Sequence, residues 1–133
     1  MDKDARITLM DADRIQRSLN RMAHEIAEKN SNDRLVLLVG IDDRGFAVAR
    51  TLKDLLGSMF EEPVKVVQLR LKNGTDAASL QELVEKDMDE HFIITVDDVI
   101  FSGQTMFQAL KCISEVLHPT EIHTAALVDR GHR

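Results

Sequence analysis

Two adjacent carboxylates, Asp97 and Asp98, follow an apolar run and precede the turn Ser102-Gly103-Gln104-Thr105. A helix is predicted to begin at this turn, and the start of a helix offers backbone N–H groups and a positive dipole end to an anion. The hydroxyls of Ser102 and Thr105 add donors, and Gly103 has no Cβ that would block the anion. Carboxylates beside a bound phosphate suit a divalent cation or ribose hydroxyls. The segment therefore predicts a site for a phosphorylated sugar.

A second junction of this kind spans Gly40–Gly45, where an apolar strand is predicted to enter a helix through a loop. The planar guanidinium of Arg44 can bind two phosphate oxygens at once, and Gly45 suits a tight backbone approach. Each junction also has a plainer interpretation. Ser102 could be an ordinary N-cap beside a solvated strand end, and Arg44 could be a surface residue paired with Asp42 or Asp43.

The composition limits the classes of protein to consider. The chain has 133 residues, which suits a single domain over residues 1–133. Its net charge of −6 argues against a general nucleic-acid binder, and its one cysteine, Cys112, cannot form an internal disulfide. We therefore expect a cytoplasmic protein. No apolar run is long enough for a membrane span, and the histidines lack the spacing of a zinc site.

The order of the elements indicates an α/β fold. Apolar runs of strand length alternate with segments of helical periodicity, which is typical of βαβ units in a parallel sheet. Strands are predicted at 35–39, 64–69, 92–96 and 122–128, and helices after Asp11 or Asp13, after Gly45 and after Thr105. The stretch Ala77–Met88 is predicted as a short acidic helix or a mobile segment. Ligands bind at the carboxyl ends of such strands, so we expect the site among the loops Gly40–Gly45, Lys72–Asp76 and Asp97–Thr105.

The segment Val96–Thr105 resembles the motif with which type I phosphoribosyltransferases bind phosphoribosyl pyrophosphate (PRPP). More narrowly, the chain is similar to the family of bifunctional pyrimidine-operon attenuators and uracil phosphoribosyltransferases. Supporting stretches are Arg21–Ile26, Leu38–Ile41 with Arg44-Gly45, and Leu127–Arg133. The resemblance implies a Rossmann-like parallel sheet flanked by helices, and a homodimer.

The resemblance also implies roles for individual residues. Ser102, Gly103, Gln104 and Thr105 would hold the 5′-phosphate of PRPP. The catalytic pair Asp97 and Asp98 would contact the ribose hydroxyls, directly or through Mg²⁺. Asp43, Arg44 and Gly45 would receive the pyrophosphate. The implied reaction transfers the 5-phosphoribosyl group to a nucleobase and releases pyrophosphate, so the expected partners are PRPP or a nucleoside monophosphate and a nucleobase.

Three departures from the family pattern predict altered transfer chemistry. Asp42 and Asp43 stand where neutral or basic residues are usual, and they would repel pyrophosphate. The region Leu69–Glu90 is shorter than the family's mobile loop, with Lys72 as its nearest basic candidate. The small hood over the base is expected to be reduced or absent, with Arg6–Met10 as its remaining contributor. By family analogy, His132 and Arg133 would line the mouth of the site.

Two other functions compete with this one. The first is a non-catalytic regulator that senses nucleotides or attenuates RNA, which would require Arg14, Arg17, Arg21 and Lys29 to form one basic face. The second is a phospho-accepting receiver domain with an acidic Mg²⁺ pocket. A full helix before the first central strand, and the lack of a lysine at the end of the last strand, argue against the receiver domain.

Overall fold

A computed structural model describes residues 12–30, 33–61, 63–100 and 103–129. The predictions for Asp11, Arg6–Met10, Ser102, His132 and Arg133 lie outside these residues. Within them, the elements follow in the order α1 (Ala12–Lys29), β1 (Leu35–Ile41), α2 (Asp42–Leu56), β2 (Lys65–Leu69), α3 (Ala78–Gln81), a 3₁₀ turn (Met88–Glu90), β3 (His91–Ile100), α4 (Gln104–Leu117) and β4 (His123–Asp129). Among the described helices, none combines the length and the apolar character of a membrane span.

The four strands form one sheet in the order β2-β1-β3-β4, and every neighbouring pair is parallel. The parallel sheet expected from the sequence is therefore confirmed. Strand β1 lies between β2 and β3, so the chain leaves β1 toward one side of the sheet and later returns on the other. A crevice forms at the carboxyl ends of the strands where the order reverses, and ligands of open α/β sheets bind there.

Helices cover the sheet on both faces, which explains why its strands are apolar without interruption. On one face, Leu38, Phe92 and Ile94 pack with residues of α1 and α2, including Met22 and Leu52. On the other face lie residues of α3 and α4, among them Leu80, Met106 and Ile113. Apolar residues at helical spacing predict Ile15, Leu19, Met22, Ala23 and Ile26 as the inner face of α1; the last four are buried and Ile15 is partly buried against them.

Strand β3 is longer than the sequence predicted. The predicted strand ended at Val96, but the observed strand continues to Ile100 and includes both carboxylates. Strand β4 reaches equally far, and Asp97 and Val99 are paired in register with Ala126 and Val128. The acidic pair therefore lies within the last part of the strand instead of in a loop after it, because pairing with β4 continues past the apolar run that ends at Val96.

The prediction of a loop at Gly40–Gly45 is wrong. Strand β1 runs to Ile41 and α2 begins at Asp42, so the chain passes directly from strand to helix. The two glycines allow close contact between backbones. A Cβ added at Gly40 would lie 2.4 Å from the Cα of Phe46, and one added at Gly45 would lie 2.5 Å from the carbonyl oxygen of Val96. The start of α2 therefore presses directly against β3.

The stretch Ala77–Met88, predicted as a short acidic helix or a mobile segment, is helical only in part. Only Ala78–Gln81 forms α-helix, and turns lead from it to the 3₁₀ turn at Met88–Glu90. Leu80, Leu83 and Met88 are buried against the sheet. This irregular segment is therefore anchored by its apolar residues, while its acidic side chains face solvent.

Candidate functional site

A cavity of about 530 Å³ opens at the carboxyl ends of the strands, and we refer to it as the site cavity. Its walls come from the start of α2, from the residues after β2, from the end of β3 and from the start of α4. It is lined by Ile41, Asp42, Asp43, Arg44, Arg70, Lys72, Asn73, Asp97, Asp98, Val99 and Thr105. Residues from all three segments that the sequence singled out therefore line one cavity.

The acidic pair forms the wall nearest the core. Asp97 is 9% exposed, and its Oδ1 accepts a hydrogen bond of 2.8 Å from the amide of Asp98. The Oδ1 of Asp98 accepts a hydrogen bond of the same length, 2.8 Å, from the amide of Val99. Burial raises the pKa of Asp97 to about 7, and the neighbouring Asp98 carboxyl and the charge of Asp42 add to this effect. Ionising Asp97 is costly because its carboxyl is buried and lies beside the charges of Asp98 and Asp42.

Arg44 reaches across the cavity from α2 to this acidic wall. Its Nη1 lies 3.6 Å from Oδ2 of Asp98, and 83% of the arginine side chain is exposed. The plainer interpretation of Arg44, a pairing with Asp42 or Asp43, is therefore wrong. An exposed ion pair of this length contributes little to stability. The guanidinium therefore stands at the mouth of the cavity, where an incoming anion can reach it.

Asp42 and Asp43 contact the residues that follow β2. The Oδ1 of Asp42 accepts hydrogen bonds from the amides of Leu71 (2.8 Å) and Lys72 (3.2 Å). Asp43 Oδ1 lies 3.1 Å from Nε2 of Gln68 and 3.2 Å from Nη1 of Arg70. The hydrogen bond from Gln68, followed by the positive charge of Arg70, lowers the pKa of Asp43. Each of the two carboxylates therefore has a defined partner.

Residues 70–76, which we call the β2 turn, place two cations beside the cavity. The amide of Arg70 donates to the carbonyl of Asp76 at 3.1 Å, and the amide of Asp76 donates back at 2.8 Å. Between them Asn73 and Gly74 adopt positive φ angles of 60° and 101°, which close the turn tightly. The sequence singles out Lys72 as a possible loop or base-side residue, and it does not single out Arg70. The signal for Arg70 was its position directly after the last residue of β2.

The start of α4 forms the remaining wall. Its N-cap is Gly103, and the hydrogen bond from the amide of Phe107 to the carbonyl of Gly103 is 2.8 Å long. The amides of Gln104, Thr105 and Met106 come before this bond, as the first amides of a helix do. The plainer interpretation, with Ser102 as N-cap, concerns a residue outside the described part of the chain. Gly103 has a φ of 81°, and an added Cβ would meet no described atom within 4 Å, so backbone conformation is the reason for the glycine.

The donor set suits a metal ion only in part. No group of three or more His, Cys, Asp or Glu side chains in the described residues could hold a metal ion. Asp97 and Asp98 supply two carboxylates, and Mg²⁺ commonly binds to one or two carboxylates together with phosphate oxygens of a substrate. Burial and, after it, the neighbouring Asp98 and Asp42 raise the pKa of Asp97, and a divalent cation beside the pair would favour its ionised form. The residues therefore fit a cation that arrives with a phosphorylated substrate.

The amino-acid sequence matches a protein-family model and several known proteins. A family model described as a phosphoribosyl transferase domain matches residues 8–133. The chain is 33% identical to the bifunctional protein PyrR of Oceanobacillus iheyensis, over 94% of this chain and 75% of that protein. It is 38% identical to the PyrR protein of Clostridium novyi, over the same shares of 94% and 75%.

Solved structures show the same fold. The purine phosphoribosyltransferase of Pyrococcus horikoshii Ot3 matches with a TM-score of 0.61 and 20% identity, covering 90% of this chain and 77% of that one. The HGPRT-ase of Leishmania tarentolae in complex with GMP matches with a TM-score of 0.69 and 19% identity, covering 88% and 66%. At these identities the likeness establishes the architecture of the sheet and its helices.

Proposed function

Since the chain belongs to the phosphoribosyltransferase family, a family that binds PRPP or a nucleotide, we propose that the site cavity transfers the 5-phosphoribosyl group of PRPP to a nucleobase. The observation that carries the proposal is the composition of its walls. Helix amides, a carboxylate pair and a group of cations surround one cavity, and they suit the phosphate, the ribose and the pyrophosphate of PRPP in turn.

The start of α4 is proposed to bind the 5′-phosphate. The amides of Gln104, Thr105 and Met106 and the hydroxyl of Thr105 lie at the positive end of the helix dipole, which favours an anion. Gly103 gives the chain the left-handed bend that begins this helix. Ser102, which precedes it, is proposed to add its hydroxyl.

The acidic pair is proposed to hold the ribose. Carboxylate oxygens of Asp97 and Asp98 accept hydrogen bonds from vicinal hydroxyls, and the same pair fits Mg²⁺ brought in with PRPP. When bound, Mg²⁺ would neutralise charge on the leaving pyrophosphate. The carboxylates themselves tolerate the positive charge that develops on the sugar as the bond at C1 breaks, because fixed charges stabilise such a state without reorganising.

The cations on the opposite side are proposed to receive pyrophosphate. Arg44, Arg70 and Lys72 all line the site cavity, and Gly45 holds the first turn of α2 close to β3. The nearby Asp43 opposes an incoming anion. We expect tight binding of the sugar phosphate with weaker binding of the pyrophosphate portion, and therefore slow transfer.

Calorimetry with Mg²⁺–PRPP and with ribose 5-phosphate tests the proposal. Thr105→Val removes one hydroxyl and keeps the shape of the side chain, so affinity for both ligands should fall about tenfold. Gly103→Asp introduces a negative charge and a side chain that the left-handed backbone disfavours, and should abolish binding. Gln108→Ala, an exposed change on the same helix, serves as the control. Unchanged affinity in the first two variants, with the fold intact, would overturn the assignment of the phosphate site.

Further details belong to the same proposal. By resemblance to uracil phosphoribosyltransferases, the first base to assay is uracil, with pyrophosphate release as the readout. We propose a cytoplasmic homodimer that carries one such domain over residues 1–133 and requires Mg²⁺ for transfer. His132 and Arg133 remain proposed contributors to the mouth of the site. Sedimentation velocity tests the dimer directly.

A regulatory role that involves RNA is a second candidate, and one feature favours it. Arg14, Arg17 and Arg21 are exposed and are spaced by three and four residues, so they share one face of α1. Glu25 and Glu28 continue the same face toward Lys29 and restrict the basic portion to the first half of the helix. Fluorescence titration with RNA hairpins tests this role. Reversing Arg17 and Arg21 to Glu should abolish binding and leave PRPP affinity unchanged.

A further inference from the structure

Asp42 combines an unusual backbone conformation with an unusual set of contacts. Its φ angle is 53°, in the left-handed region that non-glycine residues seldom adopt, although Asp and Asn tolerate it better than most. In this conformation one carboxylate oxygen accepts two successive backbone amides, those of Leu71 and Lys72, at 2.8 and 3.2 Å. A pair of amides that converge on one carboxylate oxygen forms charge-assisted hydrogen bonds, which are stronger than neutral ones.

We propose that Asp42 is a positioning residue that ties the β2 turn to the start of α2 and so fixes Arg70 and Lys72 beside the site cavity. The inference rests on the proposed function, because its consequence is for the pyrophosphate end of PRPP. Among the described residues, the β2 turn has no strand pairing apart from the Arg70–Asp76 bridge, and most of its side chains are exposed. The contacts of Asp42 therefore hold the backbone of this turn to the start of α2, whereas the exposed Asp43–Arg70 ion pair joins only side chains.

The two neighbouring aspartates have different effects in this arrangement. Asp42 is half-buried and directs its charge to backbone donors, so it shapes the turn. Asp43 has a side chain that is 82% exposed and pairs with the guanidinium of Arg70 itself. A ligand phosphate would compete with Asp43 for the guanidinium of Arg70. It would not compete with Asp42, because Asp42 binds backbone amides. The first aspartate therefore assists binding at the pyrophosphate end, whereas the second opposes it.

Two substitutions at position 42 separate the carboxylate's contacts from its backbone conformation. Asp42→Gly keeps the positive φ at no steric cost and removes the acceptor. Asp42→Asn keeps an oxygen acceptor and tolerance of the same φ, and removes only the charge. Glycine should weaken binding of Mg²⁺–PRPP by about tenfold or more, because small displacements of binding groups are costly. It should leave affinity for ribose 5-phosphate, which lacks the pyrophosphate, within about twofold. Asparagine should restore most of the loss.

Amide hydrogen exchange provides a readout that needs no ligand. In the wild type, the amides of Leu71 and Lys72 should be protected, and Asp42→Gly should expose both while the amides of β1 stay protected. If the wild type binds PRPP and Asp42→Gly binds it equally well, the positioning role is wrong and the proposed function stands. Equal weakening for both ligands would show a general structural role and would also overturn the inference. A wild type that binds neither ligand would overturn the proposed function itself.

Discussion

Asp97 carries the largest electrostatic cost in the site. Its burial, together with the adjacent Asp98 and the nearby Asp42, raises its pKa to about 7 from an ordinary value of 3.8. The fold therefore favours the protonated carboxyl. The stability that this shift contributes is fully present below about pH 4 and is lost as the pH rises through 7. Groups of this kind are typical of functional sites, where binding is obtained at the expense of stability.

We expect Asp97→Asn to stabilise the protein more at pH 8 than at pH 5. Asparagine keeps an oxygen that can accept the amide of Asp98 and has no charge to desolvate. The difference between the two pH values should be on the order of 2 kcal/mol, because each unit of pKa shift corresponds to about 1.4 kcal/mol. Urea denaturation at both pH values measures it, with the exposed Asp54→Asn as a control. An equal effect of Asp97→Asn at both pH values would contradict the raised pKa.

Substitution of Asp43 should strengthen binding of the pyrophosphate portion, whereas substitution of Asp42 by glycine should weaken it. Asp43→Asn should raise the affinity for inorganic pyrophosphate and Mg²⁺–PRPP about two- to fivefold, because it removes a like charge from a largely exposed position and frees Arg70. The affinity for ribose 5-phosphate should not change. Titration calorimetry with the three ligands measures these effects. A fall in pyrophosphate affinity would mean that Asp43 assists the anion by orienting Arg70.

The start of α2 depends on Gly45 for its close contact with the sheet. A Cβ at position 45 would meet the carbonyl oxygen of Val96 at 2.5 Å and the Cα of Asp97 at 3.3 Å, and both are backbone atoms of β3. Gly45→Ala should therefore push the helix away from the acidic pair and destabilise the protein by about 1–3 kcal/mol. It should also weaken PRPP binding. The matched control is Gly57→Ala at the exposed end of the same helix, where φ is −60°.

Thermal denaturation of both glycine variants, with and without Mg²⁺–PRPP, measures this effect. At position 57 the added Cβ would lie 3.3 Å from the carbonyl oxygen of Lys53, so only a small adjustment is needed. We expect a change of less than about 1 kcal/mol there. If the two variants melted at the same temperature, the close approach of α2 to β3 would not limit substitution at Gly45.

The elements that could be predicted from sequence are those whose signal is periodic. The inner face of α1 follows from apolar residues at helical spacing, and β1 and β2 follow from short apolar runs. The end of β3 was missed because charged residues rarely continue a buried strand, and here β4 supplies the pairing. The junction of β1 and α2 was missed because Gly40 and Gly45 look like loop residues, while their actual role is contact with neighbouring backbone.

The site as a whole could be predicted in its location but not in its internal contacts. Its location follows from the rule that ligands bind at the carboxyl ends of parallel strands, and the sequence shows which residues lie there. The partners of Asp42, Asp43 and Arg44 depend on strand register and on one left-handed backbone angle, and neither has a local sequence signal. For this reason the sequence alone predicts only that the two aspartates repel pyrophosphate.

At the level of the whole molecule, the ligand should act as a stabiliser. A ligand that binds only the folded state raises the free energy of unfolding by about 2.7 kcal/mol when present at 100 times its dissociation constant. We therefore expect Mg²⁺–PRPP at that concentration to raise the melting temperature by several degrees. Inorganic phosphate at equal concentration is the control and should have a much smaller effect. Equal shifts with the two ligands would indicate a simple anion site.

The most direct test of the account is a crystal structure of the protein with Mg²⁺ and PRPP. We expect the 5′-phosphate at the start of α4, within hydrogen-bonding distance of the Thr105 amide, with the ribose hydroxyls facing Asp97 and Asp98. The pyrophosphate should lie near Arg44 and the β2 turn. A PRPP molecule bound elsewhere, or a 5′-phosphate that makes no contact with the first turn of α4, would contradict the account.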